Sequence, residues 1–277
     1  MSPSLAARLG VTALAAALLV VGVATAIPNW HLTDLKAYLA AAELLATGGN
    51  PFDVALVERG LPYHFHYSPW FAALFIPLTA LPVEAVRIGW SVVLLLAVGI
   101  ALIPLMRRTG VGGLPLTMLM AFLLTNLVAE GNVQPLLLAG LVWSLERRAG
   151  PVMIGVAASL KLVPILLALV YLGRGEWRRA ILAGVVAAAL LAPTLLFELP
   201  PTATDTGGTG LFTTQPILWA LSALAACATT VWLARTRFAW LAATTASMLA
   251  LPRLLIFDVT SLLASFPQQP KEGQRAD

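Results

Sequence analysis

Leu5–Ile27 reads LAARLGVTALAAALLVVGVATAI, and this stretch decides the fold. After Arg8 it carries no charge, and its length matches the roughly 20 residues that cross a bilayer. A secretory leader is the competing reading, with Arg8 ahead of the apolar run and small residues at Ala24-Thr25-Ala26. The apolar part of a leader is about 7–15 residues long, and this run exceeds it. The segment is read as an uncleaved first transmembrane helix with its amino terminus inside.

The same texture recurs along the chain. Apolar stretches follow at Trp70–Leu81, Ile88–Met106, Leu114–Ala129, Pro135–Leu145, Val152–Leu172, Ala180–Phe197, Pro216–Ala234 and Phe238–Leu251, with a shorter one at Leu254–Phe266. Of the 277 residues 59% are hydrophobic and 11% charged, against about 25% charged in a soluble domain. So much apolar surface cannot be hidden from water. In lipid the backbone must satisfy its own hydrogen bonds, so the stretches are helices or protein-covered half-helices. The expectation is an all-α, polytopic transmembrane helix bundle of about nine to ten membrane segments over residues 1–267. Residues 28–68 form an external loop with interfacial helices such as Leu35–Leu45, and Gln268–Asp277 a disordered polar tail. Trp30, Tyr38, Tyr63, Tyr67 and Trp70 read as an interfacial aromatic belt. The single cysteine, Cys227, excludes an intrachain disulfide and reads as a small buried hydrophobe.

The net charge of +4 comes from arginines between apolar runs. Arg107-Arg108, Glu146-Arg147-Arg148, Arg174 to Arg179 and Arg235/Arg237 mark the cytoplasmic side of a multi-pass plasma-membrane protein. They fit anionic lipid better than nucleic acid. With Arg147-Arg148 and Arg174–Arg179 both inside, the chain between them must go out and return. It is too short for two full spans, so a hairpin of half-helices would place Lys161 near the external interface, with Pro164 at the bend. The Pro193–Gln215 loop, lacking Lys and Arg, suits the outside. One conflict stands: Trp70–Leu81 and Ile88–Met106, if both span, return Arg107-Arg108 to the outside. Either those arginines are external or one segment does not cross.

Few polar residues remain to carry chemistry. Asp34 follows the first apolar segment at the mouth of the bundle, where a partly desolvated carboxylate suits a general base; it would equally cap the helix Leu35–Leu45. Lys161 lies inside an apolar run, where an ammonium can grip a lipid phosphate or snorkel to the interface. Asn132 and Gln134, in Glu130-Gly131-Asn132-Val133-Gln134-Pro135, can bond sugar hydroxyls or satisfy a broken helix. Arg253 offers a planar fork for phosphate, or a tie to Asp258. His31, His64 and His66 do not obviously converge on a metal. Phosphate-cradling, HExxH and GxSxG signatures are missing, which leaves nucleotide and serine hydrolysis unsupported.

Taken together, these stretches resemble glycosyltransferase family 87, polytopic enzymes of the GT-C fold that use polyprenyl-phosphate sugars, typically mannose. Asp34–Phe52 looks like the family's first external loop, with Asp34 in the place of the catalytic base and Tyr38 as its following tyrosine. Phe65-His66-Tyr67-Ser68-Pro69-Trp70 is similar to the aromatic-Tyr-Pro-Pro approach to the next helix, with Ser68 in place of the first proline. Glu130-Gly131-Asn132-Val133-Gln134 stands where the family reads Gly-Gln-x-Asn. Lys161-Leu162-Val163-Pro164 and Pro252-Arg253 with Phe257-Asp258 resemble its later motifs.

The resemblance implies an inverting single displacement between a polyprenyl-phosphate sugar donor and a lipid or glycan acceptor, among membrane lipids, with neither metal nor cofactor. Asp34 would be the base. Lys161 and Arg253 would meet the phosphate, and Asn132, Gln134, Tyr67, Tyr38, His66 and Asp258 would line the substrates. Family members usually carry further helices after the Pro-Arg region. The alternative expectation is therefore a truncated or non-catalytic member acting as a lipid-carrier transporter or assembly partner.

Overall fold

The structure, a computed structural model, describes residues 5–58, 61–199 and 211–268. The polar tail beyond Gln268 and the middle of the Pro193–Gln215 loop lie outside the described residues. Helices dominate: α1 (Leu5–Ala26), α2 (Thr33–Ala46), α3 (Pro69–Thr79), α4 (Val83–Thr109), α5 (Leu114–Glu130), α6 (Gln134–Ser144), α7 (Gly150–Leu160), α8 (Ala168–Arg174), α9 (Trp177–Leu191), α10 (Leu211–Thr214), α11 (Pro216–Leu233) and α12 (Ala239–Leu249). Short 3-10 segments include Val163–Leu167 and Ile256–Ser265. The segment between α2 and α3 adds one antiparallel hairpin, β1 (Leu56–Glu58) with β2 (Leu61–Tyr63), in which Val57 pairs with Pro62.

Among the described residues four helical stretches are long and apolar enough to cross a bilayer: Leu9–Ala26, Val83–Glu130, Trp177–Leu196 and Pro216–Leu233. The second is a hairpin in which α4 and α5 pack together after the chain turns at Gly110–Gly113. Six shorter apolar helices among the described residues accompany them, four before Pro216–Leu233 and two after it, as half-helices do in a bundle whose neighbours cover their ends. The conflict over Arg107-Arg108 resolves at α3. Its 11 residues extend about 16 Å, too little to cross. The chain turns after Thr79, and Trp90, early on α4, donates to Gly131 O at 2.8 Å at the same end of the bundle as Asp34. Arg107 and Arg108 lie in the last turn of the 27-residue α4, at the opposite end.

That opposite end collects the cations. Arg108 donates to Pro267 O at 2.7 Å, and Gln268 N to Val142 O at 2.8 Å. Glu146, between α6 and α7, receives both terminal nitrogens of Arg174 at 3.2 Å and the Trp240 indole N–H at 2.5 Å. Arg179 reaches Leu145 O, Arg147 O and the Tyr171 hydroxyl. Burial would raise the Glu146 carboxyl, but the Arg174 and Trp240 hydrogen bonds hold it below the usual carboxylate range. The ends of the α7–α8 excursion are thereby clasped together, and its bend carries Lys161 to the far side.

Small residues let the helices approach. A side chain at Gly155 of α7 would place its Cβ 2.6 Å from Val186 Cβ and 2.8 Å from Ala183 O of α9. Tyr38 sits in the core, not in an interfacial belt. It is 1% exposed, with Phe71, Phe75, Tyr67 and Trp90 edge-on or tilted around its ring at centroid distances of 4.9 to 6.2 Å.

Candidate functional site

The helix bearing Asp34 starts in an uncommon way. Leu32, 1% exposed, takes left-handed backbone angles, φ 49° and ψ 44°, and caps no helix N–H with its side chain. Its amide donates to Ala129 O at 2.9 Å, which fastens the start of α2 to the end of α5. Gly131 follows α5 with φ +76°, and a Cβ there would lie 3.2 Å from Leu35 Cβ. Two left-handed residues so bring the two chain segments into close register.

Asp34 lies in the first turn of α2 and does not cap it. Its Oδ2 accepts from Asn132 Nδ2 at 2.5 Å, and Asn132 Oδ1 accepts from Gln134 N at 2.9 Å. Both ends of the Asn132 amide are thereby engaged, one aiming the carboxylate and one fixing the first turn of α6. Burial pushes the Asp34 carboxyl up to about 6, with the Glu130 charge adding to it; the Asn132 hydrogen bond and the Lys161 charge oppose. The Tyr38 hydroxyl, one turn along α2, lies within reach of the Tyr67 hydroxyl but makes no well-aligned hydrogen bond. Burial and the Asp34 charge hold the Tyr67 phenol well above its ordinary range.

Lys161 caps the carboxyl end of α7, donating its backbone N–H to Ala157 O at 2.8 Å. The negative end of a helix dipole favours a cation there. Its charge interacts with Asp258 and with Asp34. A cavity of about 50 Å³ opens beside it, lined by Gln134, Pro164, Ser247, Asp258 and Ser261 among others. Gln134 Nε2 donates to Ser261 Oγ at 3.4 Å, and Asp258 Oδ2 accepts from Leu255 N at 2.8 Å.

Asp34, Asn132, Tyr67 and Tyr38 thus gather around one carboxylate, and Lys161, Gln134 and Asp258 around the neighbouring cavity. Arg253 is exposed, its charge reaching Asp258. His66 is exposed too, its ring 6.1 Å from that of His64, which itself contacts Val54 O at 3.1 Å. Among the described residues no group of three or more His, Cys, Asp or Glu side chains is placed to hold a metal. Sequence reasoning missed Ser261. Its signal was the spacing of three from Asp258, which a 3-10 turn stacks on one face.

Fold and site define a polytopic helical membrane protein with Asp34, Asn132 and Lys161 at one end of the bundle and the Glu146–Arg174 pair at the other. Residues 65–265 match the sequence profile of glycosyltransferase family 87, and the chain belongs to that family. It is a multi-pass membrane glycosyltransferase. The matched span takes in Tyr67, Asn132, Gln134, Lys161, Arg253 and Asp258 and begins beyond Asp34. No curated protein and no solved structure matches the chain.

Proposed function

We propose that this glycosyltransferase moves a hexose, mannose by the family's habit, from a polyprenyl-phosphate donor to an acceptor hydroxyl at the external face, with inversion. The Asp34 carboxylate takes the hydroxyl proton as the oxygen bonds to the anomeric carbon. The bond from that carbon to the phosphate oxygen breaks, and the phosphate leaves on its polyprenyl carrier. Lys161 meets the departing charge in a site sheltered from water, where a fixed cation stabilises it strongly. Arg253 stands nearer the rim for the same phosphate. Asn132 aims Asp34, and the Tyr38 hydroxyl supplies an unclaimed polar group beside it. Gln134, Tyr67 and Asp258 line the sugar and phosphate, with His66 further out.

One observation carries the reading: Asp34 and Lys161, from separate helices, lie close enough at one end of the bundle for each to feel the other's charge. A displacement needs a base and a leaving-group cation within one substrate's reach. The test is transfer from radiolabelled polyprenyl-phosphate mannose in membranes carrying wild type or Asp34→Asn. Transfer by wild type alone is the expected result, and near wild-type turnover by Asp34→Asn would overturn the role.

A further inference from the structure

Trp90, early on α4, reaches both segments that carry the Asp34–Asn132 pair without belonging to the pair. Its indole N–H donates to Gly131 O at 2.8 Å, and Asn132 is the next residue. Its ring stands edge-on to that of Tyr38, with centroids 6.2 Å apart and planes at 84°. Tyr38 lies one turn along α2 from Asp34, on the same helix face. One rigid bicycle therefore spaces the helix that bears the carboxylate from the turn that bears the amide.

The turn has a group that only an outside donor can satisfy. The N–H groups of Gly131 and Asn132 close the end of α5, donating to Val128 O at 3.0 Å and Leu127 O at 2.8 Å. Gly131, at φ +76°, is buried, and its carbonyl points away from that ladder. A buried carbonyl needs a donor, and the indole supplies it. Packing fixes the donor's direction: Phe75 lies against the same indole at a centroid distance of 5.2 Å, with planes at 66°. Rotation of the Gly131 peptide would swing Asn132 and carry its amide off Asp34 Oδ2.

We infer that Trp90 is a positioning residue of the transfer reaction, its indole N–H holding the Gly131 peptide so that Asn132 meets Asp34. This rests on the proposed role of Asp34 as the base. Trp90 acts through Asn132, so its loss should slow the chemical step and leave donor binding alone.

The test uses the full chain in membranes, with radiolabelled polyprenyl-phosphate mannose and equal amounts of folded protein. Trp90→Phe keeps a ring against Tyr38 and Phe75 and removes the donor. Trp90→benzothienylalanine keeps the bicyclic shape as well and removes only the N–H. Each should lower kcat by about tenfold, the scale of one lost hydrogen bond, with donor KM unchanged. The acid limb of the pH profile should move to higher pH, because the Asn132 hydrogen bond favours the ionised Asp34 carboxylate. The other groups that bear on this carboxylate are the Glu130 and Lys161 charges and the Tyr67 and Tyr38 hydroxyls, and neither replacement alters them. In Asn132→Ala neither replacement should lower kcat further. The same fold loss with and without Asn132 would mark general loosening and overturn the inference, as would wild-type kcat in the benzothienylalanine protein. Infrared titration of the Asp34 carboxyl, taken as wild type minus Asp34→Asn, separates the two proposals. A titration raised by Trp90→Phe supports the aiming even where Asp34→Asn transfers at the wild-type rate, an outcome that sinks the reaction alone. An unmoved titration overturns the inference whatever the rate.

Discussion

Asn132 donates its side-chain amide to Asp34 Oδ2 at 2.5 Å across 98 positions of chain, while its own carbonyl oxygen is held by Gln134 N. One side chain thereby fixes both the direction of the carboxylate and the start of the helix that carries Gln134. Under the resemblance Asn132 was expected to bind sugar; its geometry suits a positioning residue.

Replacing the carboxylate isolates its role. Asp34→Asn keeps an acceptor for Asn132 and should lower transfer by about 10²–10⁴-fold, the usual cost of losing a general base. Initial rates on radiolabelled donor at equal protein level in membranes check this.

The titration of Asp34 should be visible twice. As a base it must be ionised, so transfer should climb as pH rises through about 6 and then level off. Its folded pKa is raised above the unfolded value of 3.8, so the protonated form favours the folded state. The linked stability is fully present below 3.8 and is lost as pH rises through about 6. Asp34→Asn should therefore unfold at higher temperature than wild type above pH 6, the gap closing in acid. Thermal melts across this range read the sign.

Lys161 and Asn132 should both move that profile. Each now stabilises the ionised carboxylate. In Lys161→Gln and Asn132→Ala the acid limb should shift to higher pH, a readout that lost packing would not give. Lys161→Gln should also cost on the order of 10²–10³-fold in kcat through the leaving phosphate.

The cation-rich end should behave in the opposite manner. Glu146→Ala strips two hydrogen bonds from Arg174 and one from Trp240, and should cost about 2 kcal/mol of stability. Activity per folded molecule should stay near wild type. Melting temperature and specific activity, measured on the same preparation, separate the two effects.

Gly131→Ala should damage both. A Cβ there is strained by φ +76° and crowds Leu35, at a cost of about 1–2 kcal/mol. It would also push α2, and Asp34 with it, away from Asn132. Reduced thermal stability together with reduced kcat is the expected pair of results.

The helical membrane fold was legible because hydropathy in a bilayer is a one-dimensional signal, whereas the small Leu56–Tyr63 hairpin was not. The α7–α8 excursion followed from loop charges and segment length, and Lys161 stood out as a charge in an apolar run. The short α3 did not declare itself. Trp70–Leu81 has the composition of a span, and only the turn after Thr79 and the Trp90–Gly131 contact show that it stops short. Asp34 could be singled out by position, yet its partnership with Asn132 depends on tertiary contact that no local pattern encodes. Tyr38 looked interfacial for the same reason: an aromatic beside a membrane has the same sequence signature whether it faces lipid or five other rings.

The paired left-handed turns at Leu32 and Gly131 have a consequence for how the gene can change. Each backbone reversal locks the other, so a one-residue insertion between Ile27 and Thr33 would rotate Asp34 off its partner. The same insertion between Thr47 and Pro51, where a side chain at Gly48 would meet nothing within 4 Å, would be absorbed. Indel tolerance should thus change from forbidding to permissive across the 14 residues of α2, about four helical turns.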